Sequence, residues 1–283
     1  MKFAPLKLRI FLIFFLGFFI SFNLFAENFE TWKDLQRFYK KNKITSDTLT
    51  LGQLEKLPVL DYLPKDFMDI EDVSLKKELF YLISLPIIHK TNAEVLEERE
   101  MVLNIEKKYD RKQLNENEIN EIVRLSSKYN LDGGNINPSL FKQLKQRINV
   151  IPVSLALGQA IIESGWGQSR FAIEGNAIFG QWTYAEEEGI VPENRDDDKS
   201  HAVLKFDNLT QSARAYMFNI NTHQAYYGFR IIRRIAETVK YTDPVSAKVK
   251  FLAAYAEIGQ EYVDKLELIL ESNNLKEFDR FQY

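Results

Sequence analysis

The stretch ALGQAIIESGWGQSRFAIEGNAIFG, Ala156 to Gly180, constrains this chain more than any other. An apolar run of helical spacing ends on a carboxylate, Glu163, and Gly165, Trp166 and Gly167 follow at once. A helix of this composition suits a place in the middle of a domain. Its small residues, Ala156, Gly158 and Ala160, suit close packing against neighbouring helices. Glu163 sits where the helix dipole is negative and the neighbours are apolar. Both disfavour the ionised form and push its pKa upward. A carboxyl group held protonated near neutral pH is what acid-catalysed glycosidic cleavage requires. The glycines allow a sharp turn beside the acid, and Trp166, Phe179 and Trp182 offer flat apolar faces suited to sugar rings. The plainer alternative is a solvated helix end surrounded by core aromatics.

The whole chain narrows the choice. At 283 residues it has room for one large or two small domains. A net charge of −3 argues against a nucleic-acid binder. The absence of cysteine removes disulfides, thiolate zinc sites and a cysteine nucleophile. The first residues have a basic start (Lys2, Lys7, Arg9), an apolar run from Ile10 to Ile20, and Ala26 before Glu27. This is the layout of a secretory signal peptide, residues 1–26; the alternative is an uncleaved membrane anchor. Either places the body outside the cytoplasm, with membrane contact only through that segment.

Hydrophobic spacing predicts a helical N-terminal extension over residues 27–137, with helices at Asn28–Lys43, Asp66–Ser84, Glu94–Tyr109 and Asn115–Asn130 and a Pro-containing connector at Leu51–Pro64. From Pro138 onward helices are expected at Leu140–Asn149, Pro152–Ser164, Asn208–Asn221, Tyr227–Lys240, Pro244–Tyr255 and Gln260–Ser272. Asn208 suits an N-cap. Between them, residues 183–207 alternate in a way that suits a small β-hairpin lobe. The run RDDDKSH lacks the alternating spacing and glycine of a calcium loop and reads as a solvated turn. His201 and His223 have no evident third ligand, and no cofactor or metal is expected.

QAIIESGWGQSRFAIEGNAIFGQW resembles the glucosaminidase family of peptidoglycan hydrolases, glycoside hydrolase family 73, in its Bax-like branch. The matching residues are Gln159-Ala160, Glu163 through Gly167, Ser169, and Asn176 through Trp182. GIVPENR, HAVLKFDN, SARAYMFNINTHQAY and YAEIGQEYVDKL match the later blocks, so the resemblance covers Pro138 to Leu270, roughly half the chain. It implies an α+β, mainly α, lysozyme-like helical body with a small β-lobe, residues 138–283, that hydrolyses the β-1,4 bond after N-acetylglucosamine in peptidoglycan strands. It puts Glu163 in the general acid's position and Tyr255 at an active-site tyrosine. Trp166, Asn176, Phe179 and Trp182 are the substrate-binding candidates. The localisation that goes with this reading is periplasmic or secreted.

A second carboxylate that would activate water is not assigned. The lobe offers Glu186, Glu187, Glu188, Glu193, Asp196, Asp197 and Asp198, and the substrate's own acetamido group, with Tyr255 assisting, is an alternative. Two competing functions stay open: a lytic transglycosylase, and a wall-binding protein without activity.

Overall fold

Proline at position 86 argues for a break between two N-terminal helices, because it lacks an N–H and crowds the preceding turn, at about 3 kcal/mol. The computed structural model, which describes residues 28–193, 201–239, 244–256 and 258–281, shows one helix instead. It runs without interruption from Val73 to Asp110 with Pro86 inside it. The carbonyl that loses its partner to Pro86 is that of Leu82, four residues back. The Tyr39 hydroxyl donates to it at 3.1 Å from the first helix. The two helices expected at Asp66–Ser84 and Glu94–Tyr109 are therefore one, made tolerable by a side chain 43 positions away.

In chain order the elements are α1 (Trp32–Lys41), α2 (Leu51–Leu54), α3 (Val73–Asp110), α4 (Glu116–Lys128), α5 (Pro138–Arg147), α6 (Val153–Ser164), α7 (Arg170–Gly175), β1 (Trp182–Thr183), β2 (Gly189–Ile190), β3 (Ala202–Leu204), α8 (Leu209–Thr222), α9 (Tyr227–Val239), α10 (Pro244–Val249) and α11 (Gln260–Ser272). Short 3-10 segments lie at Phe67–Asp69, Glu186–Glu188, Gln224–Tyr226, Lys250–Tyr255 and Leu275–Phe281. The fold is α+β and mainly α. The connector expected at Leu51–Pro64 begins with one helical turn, closed by a reciprocal cap between Thr50 and Gln53. Asn208 caps α8, its side chain accepting from Gln211 N–H at 2.8 Å.

The long helix α3 packs against α5, α6 and α8. Side chains from Leu35 in α1 to Phe281 near the C-terminus form one continuous buried cluster. The N-terminal extension and the segment from Pro138 thus share a core. At its centre lies α6, buried along nearly its whole length. A Cβ on Gly158 would stand 2.9 Å from Leu266, so glycine there lets α6 and α11 approach closely. The first turn of α6 is held by Asp279, whose carboxylate accepts from Ser154 N–H and Oγ at 2.9 and 2.8 Å.

The lobe is a three-stranded antiparallel sheet in the order β1-β3-β2, with Trp182 opposite Val203 and Gly189 opposite Leu204. Ala177, Val203 and Phe206 give it a small core of its own. No helix among the described residues is long and apolar enough to cross a membrane; the apolar run from Ile10 to Ile20 lies outside those residues.

Replacing Tyr39 by Phe should lower stability by about 1–3 kcal/mol, the expected effect of leaving a buried carbonyl unpaired. Chemical denaturation measures this. An unchanged midpoint would show that the Leu82 carbonyl does not depend on the tyrosine.

Candidate active site

Helix α6 ends on Gly165, whose φ of 57° is left-handed. The N–H groups of Gly165 and Trp166 both reach the Ile161 carbonyl, a closure that leaves Glu163 in the last turn. Trp166 and Gly167 continue in the left-handed region, at φ 60° and 77°. Ser164 secures the turn: its hydroxyl donates to Ala160 O at 2.6 Å and accepts from Gly167 N–H at 2.8 Å. A Cβ on Gly167 would lie 3.0–3.1 Å from the rings of Phe80 and Phe67, so the turn sits directly against the N-terminal helices.

Glu163 is half-buried. A chain of hydrogen bonds approaches it from below. Tyr216 donates to Gln159 Oε1 at 2.7 Å and Gln159 Nε2 donates to the Tyr262 oxygen at 3.1 Å, and the Tyr262 hydroxyl lies near enough to the Glu163 carboxyl to favour its ionised form. Gln159 and Tyr216 are fully buried and Tyr262 nearly so. On the other side the carboxyl faces Gly180, at φ 61°, where a Cβ would stand 2.5 Å from Glu163 Oε2. Only glycine leaves room for the acid there.

Burial is the main cause that lifts the Glu163 pKa from 4.5 to about 7. The bond from Tyr262 and the charge of Lys265 oppose that rise without cancelling it. Burial also raises Tyr216, Tyr255 and Tyr262 well above the usual phenol range, so all three stay neutral. The result is a carboxyl, about half protonated near neutral pH, among uncharged phenols.

Beyond Gly180 a cavity of about 370 Å³ opens between the lobe and the helical body. Gly180, Trp182, Asn219, His223, Tyr226 and Tyr255 are among its lining residues. Trp182 is 58% exposed and packs on His201 with ring centroids 4.1 Å apart. Tyr255 stacks on Tyr262 and donates its hydroxyl proton to the Phe179 carbonyl at 2.7 Å.

The structure thus places Tyr255 and Trp182 on the wall of one cleft, with Glu163 against Gly180, which also lines it. The other three substrate-binding candidates are engaged elsewhere. The Phe179 ring is fully buried and stacked on Tyr216 at 4.1 Å, so it is core, and its carbonyl rather than its ring serves the site. Asn176 is the left-handed residue that ends α7, and its amide donates to Phe206 O at 2.9 Å, clipping the lobe to the body. Trp166 turns toward α3, edge-on to Phe80 and Tyr81, with the Lys77 ammonium 4.9 Å from its ring. Trp166 and Phe179 were selected as flat aromatic faces, and Asn176 and Phe179 by their match to a family block; neither signal reveals the direction a side chain takes.

Gln159, Tyr216, Tyr262 and Gly180 had no role assigned from sequence. A glutamine one helical turn before Glu163, in an otherwise apolar helix, was the available signal for the first. Among the lobe acids, Glu193 pairs with Arg170 at 3.4 Å, and Glu187 and Glu188 are exposed on a 3-10 turn. Asp196, Asp197 and Asp198 lie outside the described residues.

The glucosaminidase family model, described as mannosyl-glycoprotein endo-beta-N-acetylglucosaminidase, matches residues 138–275. The chain is also similar to Protein bax of Escherichia coli (strain K12), with 27% identity over 199 residues, covering 70% of each chain. No solved structure matches it.

The raised pKa of Glu163 carries a stability signature. The folded state holds this proton more tightly than the unfolded chain, so its contribution is complete below about pH 4.5 and is lost as pH rises to about 7, on the order of 3 kcal/mol. Glu163→Gln, a neutral replacement, should therefore gain in Tm relative to the wild type as pH is raised from 5 to 8. Parallel Tm-versus-pH curves would contradict this assignment.

Proposed function

We propose, for a chain that belongs to the glucosaminidase family through residues 138–275, that it hydrolyses the β-1,4 bond following N-acetylglucosamine in peptidoglycan glycan strands, with Glu163 as the general acid. A glycan-hydrolase type of function follows from the family itself. The choice of bond, of polymer and of acid is our reading. The observation that carries it is the half-buried Glu163 carboxyl, lifted to about 7 and set against Gly180 at the edge of an aromatic-lined cleft.

In this reading a sugar ring lies on Trp182, the exposed ring of the cleft wall. Glu163 delivers its proton to the glycosidic oxygen as that bond breaks and positive charge develops on the sugar. The relay from Tyr216 through Gln159 to Tyr262 then donates a hydrogen bond to the carboxylate left behind. Stabilising the conjugate base in this way assists the transfer without requiring any phenol to ionise. Tyr255 is a neutral phenol whose proton is already given to Phe179 O. It is a hydrogen-bonding and shaping group, not a base that activates water. Attack by the substrate's acetamido oxygen or by water directed from the lobe completes the reaction. Localisation outside the cytoplasm, periplasmic or secreted, accords with a wall substrate and with the layout of residues 1–26.

The test uses purified peptidoglycan and mass spectrometry of the released fragments. Fragments with a reducible N-acetylglucosamine end are expected, and Glu163→Gln should lower their rate of release by about 10²–10⁴-fold. The wild-type kcat/KM should fall as pH rises through about 7, where the acid loses its proton. Anhydro-muramic ends would instead identify a lytic transglycosylase, and binding without any release would identify a wall-binding protein.

A further inference from the structure

A second cavity, of about 380 Å³, lies one turn away from the cleft, between α5 and the start of α9. Lys142, Gln146, Arg147, Gln224, Tyr227 and Arg230 line it, and no aspartate or glutamate is among its described lining residues. Three cationic groups without an acid are unusual in a chain whose net charge is −3.

The hydrogen-bond inventory there is one-sided. Arg230 is 1% exposed. Its Nη1 is used, donating to Ile220 O and His223 O at 3.1 and 2.8 Å, but its buried Nε finds no partner among the described residues. The buried Nε2 of Gln146 is also without one. Arg147 donates through Nη1 to Tyr129 O and Asn130 O, while Lys142 is exposed and makes no hydrogen bond among the described residues. Every unsatisfied group is a donor. Leaving buried donors unpaired is costly, and Arg147 sits close enough to Arg230 that their like charges oppose each other. One species answers both deficits: an oxyanion that accepts several hydrogen bonds and neutralises the pair.

Its position suggests the source. The 3-10 turn Gln224–Tyr226 separates the two cavities: His223 and Tyr226 face the cleft, whereas Gln224 and Tyr227 face the basic pocket. Arg230 itself holds the His223 carbonyl. A polymer lying in the cleft would carry side groups within reach of this pocket. We propose that the pocket is an oxyanion site that receives a carboxylate from a peptide branch of the glycan strand bound in the neighbouring cleft. The choice of occupant rests on the wall-glycan reading; the anion site itself does not.

Two measurements separate these claims. Thermal unfolding with inorganic phosphate as the probe, against sodium chloride at equal ionic strength and pH, tests the site. A saturable rise in Tm beyond the chloride control is expected, and Lys142→Glu, an exposed change that supplies an internal carboxylate, should abolish it. Equal shifts in phosphate and chloride would overturn the site whether or not the protein cleaves glycan. Arg230→Gln is less suitable alone, since its Nη1 bonds also support the end of α8. The second measurement compares KM for peptide-bearing glycan strands with KM for the same strands stripped of peptide. The wild type should favour the peptide-bearing form by about tenfold, the scale of one charge-assisted contact, and Lys142→Glu should close that ratio. A ratio near one in the wild type would overturn the proposed occupant. So would Lys142-dependent binding to phosphatidylglycerol vesicles with no preference for peptide, which would assign the pocket to a phosphate headgroup.

Discussion

The arrangement turns on a carboxyl group partly withdrawn from water. Glu163 lies in the last turn of a helix that is buried along almost its whole length, and neutral phenols and the charge of Lys265 both act on it. Burial raises its pKa, and the bond from Tyr262 limits the rise. Either influence alone would serve poorly. Burial without Tyr262 would leave the carboxyl slower to release its proton. The bond without burial would leave an ordinary ionised glutamate. Gly180 completes the balance by leaving space where any side chain would meet Oε2.

The N-terminal extension supports this geometry from behind. Its long helix passes under α6, and Phe67 and Phe80 receive the Gly167 turn. Trp166 lies against Phe80, Tyr81 and Lys77 on the same face. Gln168 adds polar ties, accepting from Lys76 Nζ at 2.7 Å and donating to Met68 O at 2.9 Å. The glycines and tryptophan after the acid therefore join two parts of one core. The turn that ends α6 is shaped as much by this contact as by any demand of a ligand.

Local signals carried a large share of the fold. The apolar spacing of α6, its glycine terminus, the Asn208 cap and the alternation of the lobe all depend on neighbours within a few positions, and all were legible. The continuity of α3 between Ser84 and Glu94 was not expected, and the tolerance for Pro86 there comes from Tyr39, at a separation of 43 positions. The relay was hidden for the same reason: Tyr216 and Tyr262 lie 57 and 103 positions from Gln159. Phe179, Asn176 and Trp166 were visible as notable residues, but their facing is decided by the core, by the lobe and by α3. The basic pocket draws Lys142 and Arg147 from α5 and Arg230 from α9, and no local pattern announces it.

The protonation of Glu163 is the point from which the catalytic reading follows, and it can be observed without substrate. Selective 13C labelling of glutamate, with the Glu163 resonance assigned by its loss in Glu163→Gln, allows the carboxyl to be titrated by NMR. The account predicts a midpoint near pH 7. A midpoint near 4.5, the ordinary value, would mean that Glu163 is ionised at neutral pH and would contradict its role as the acid.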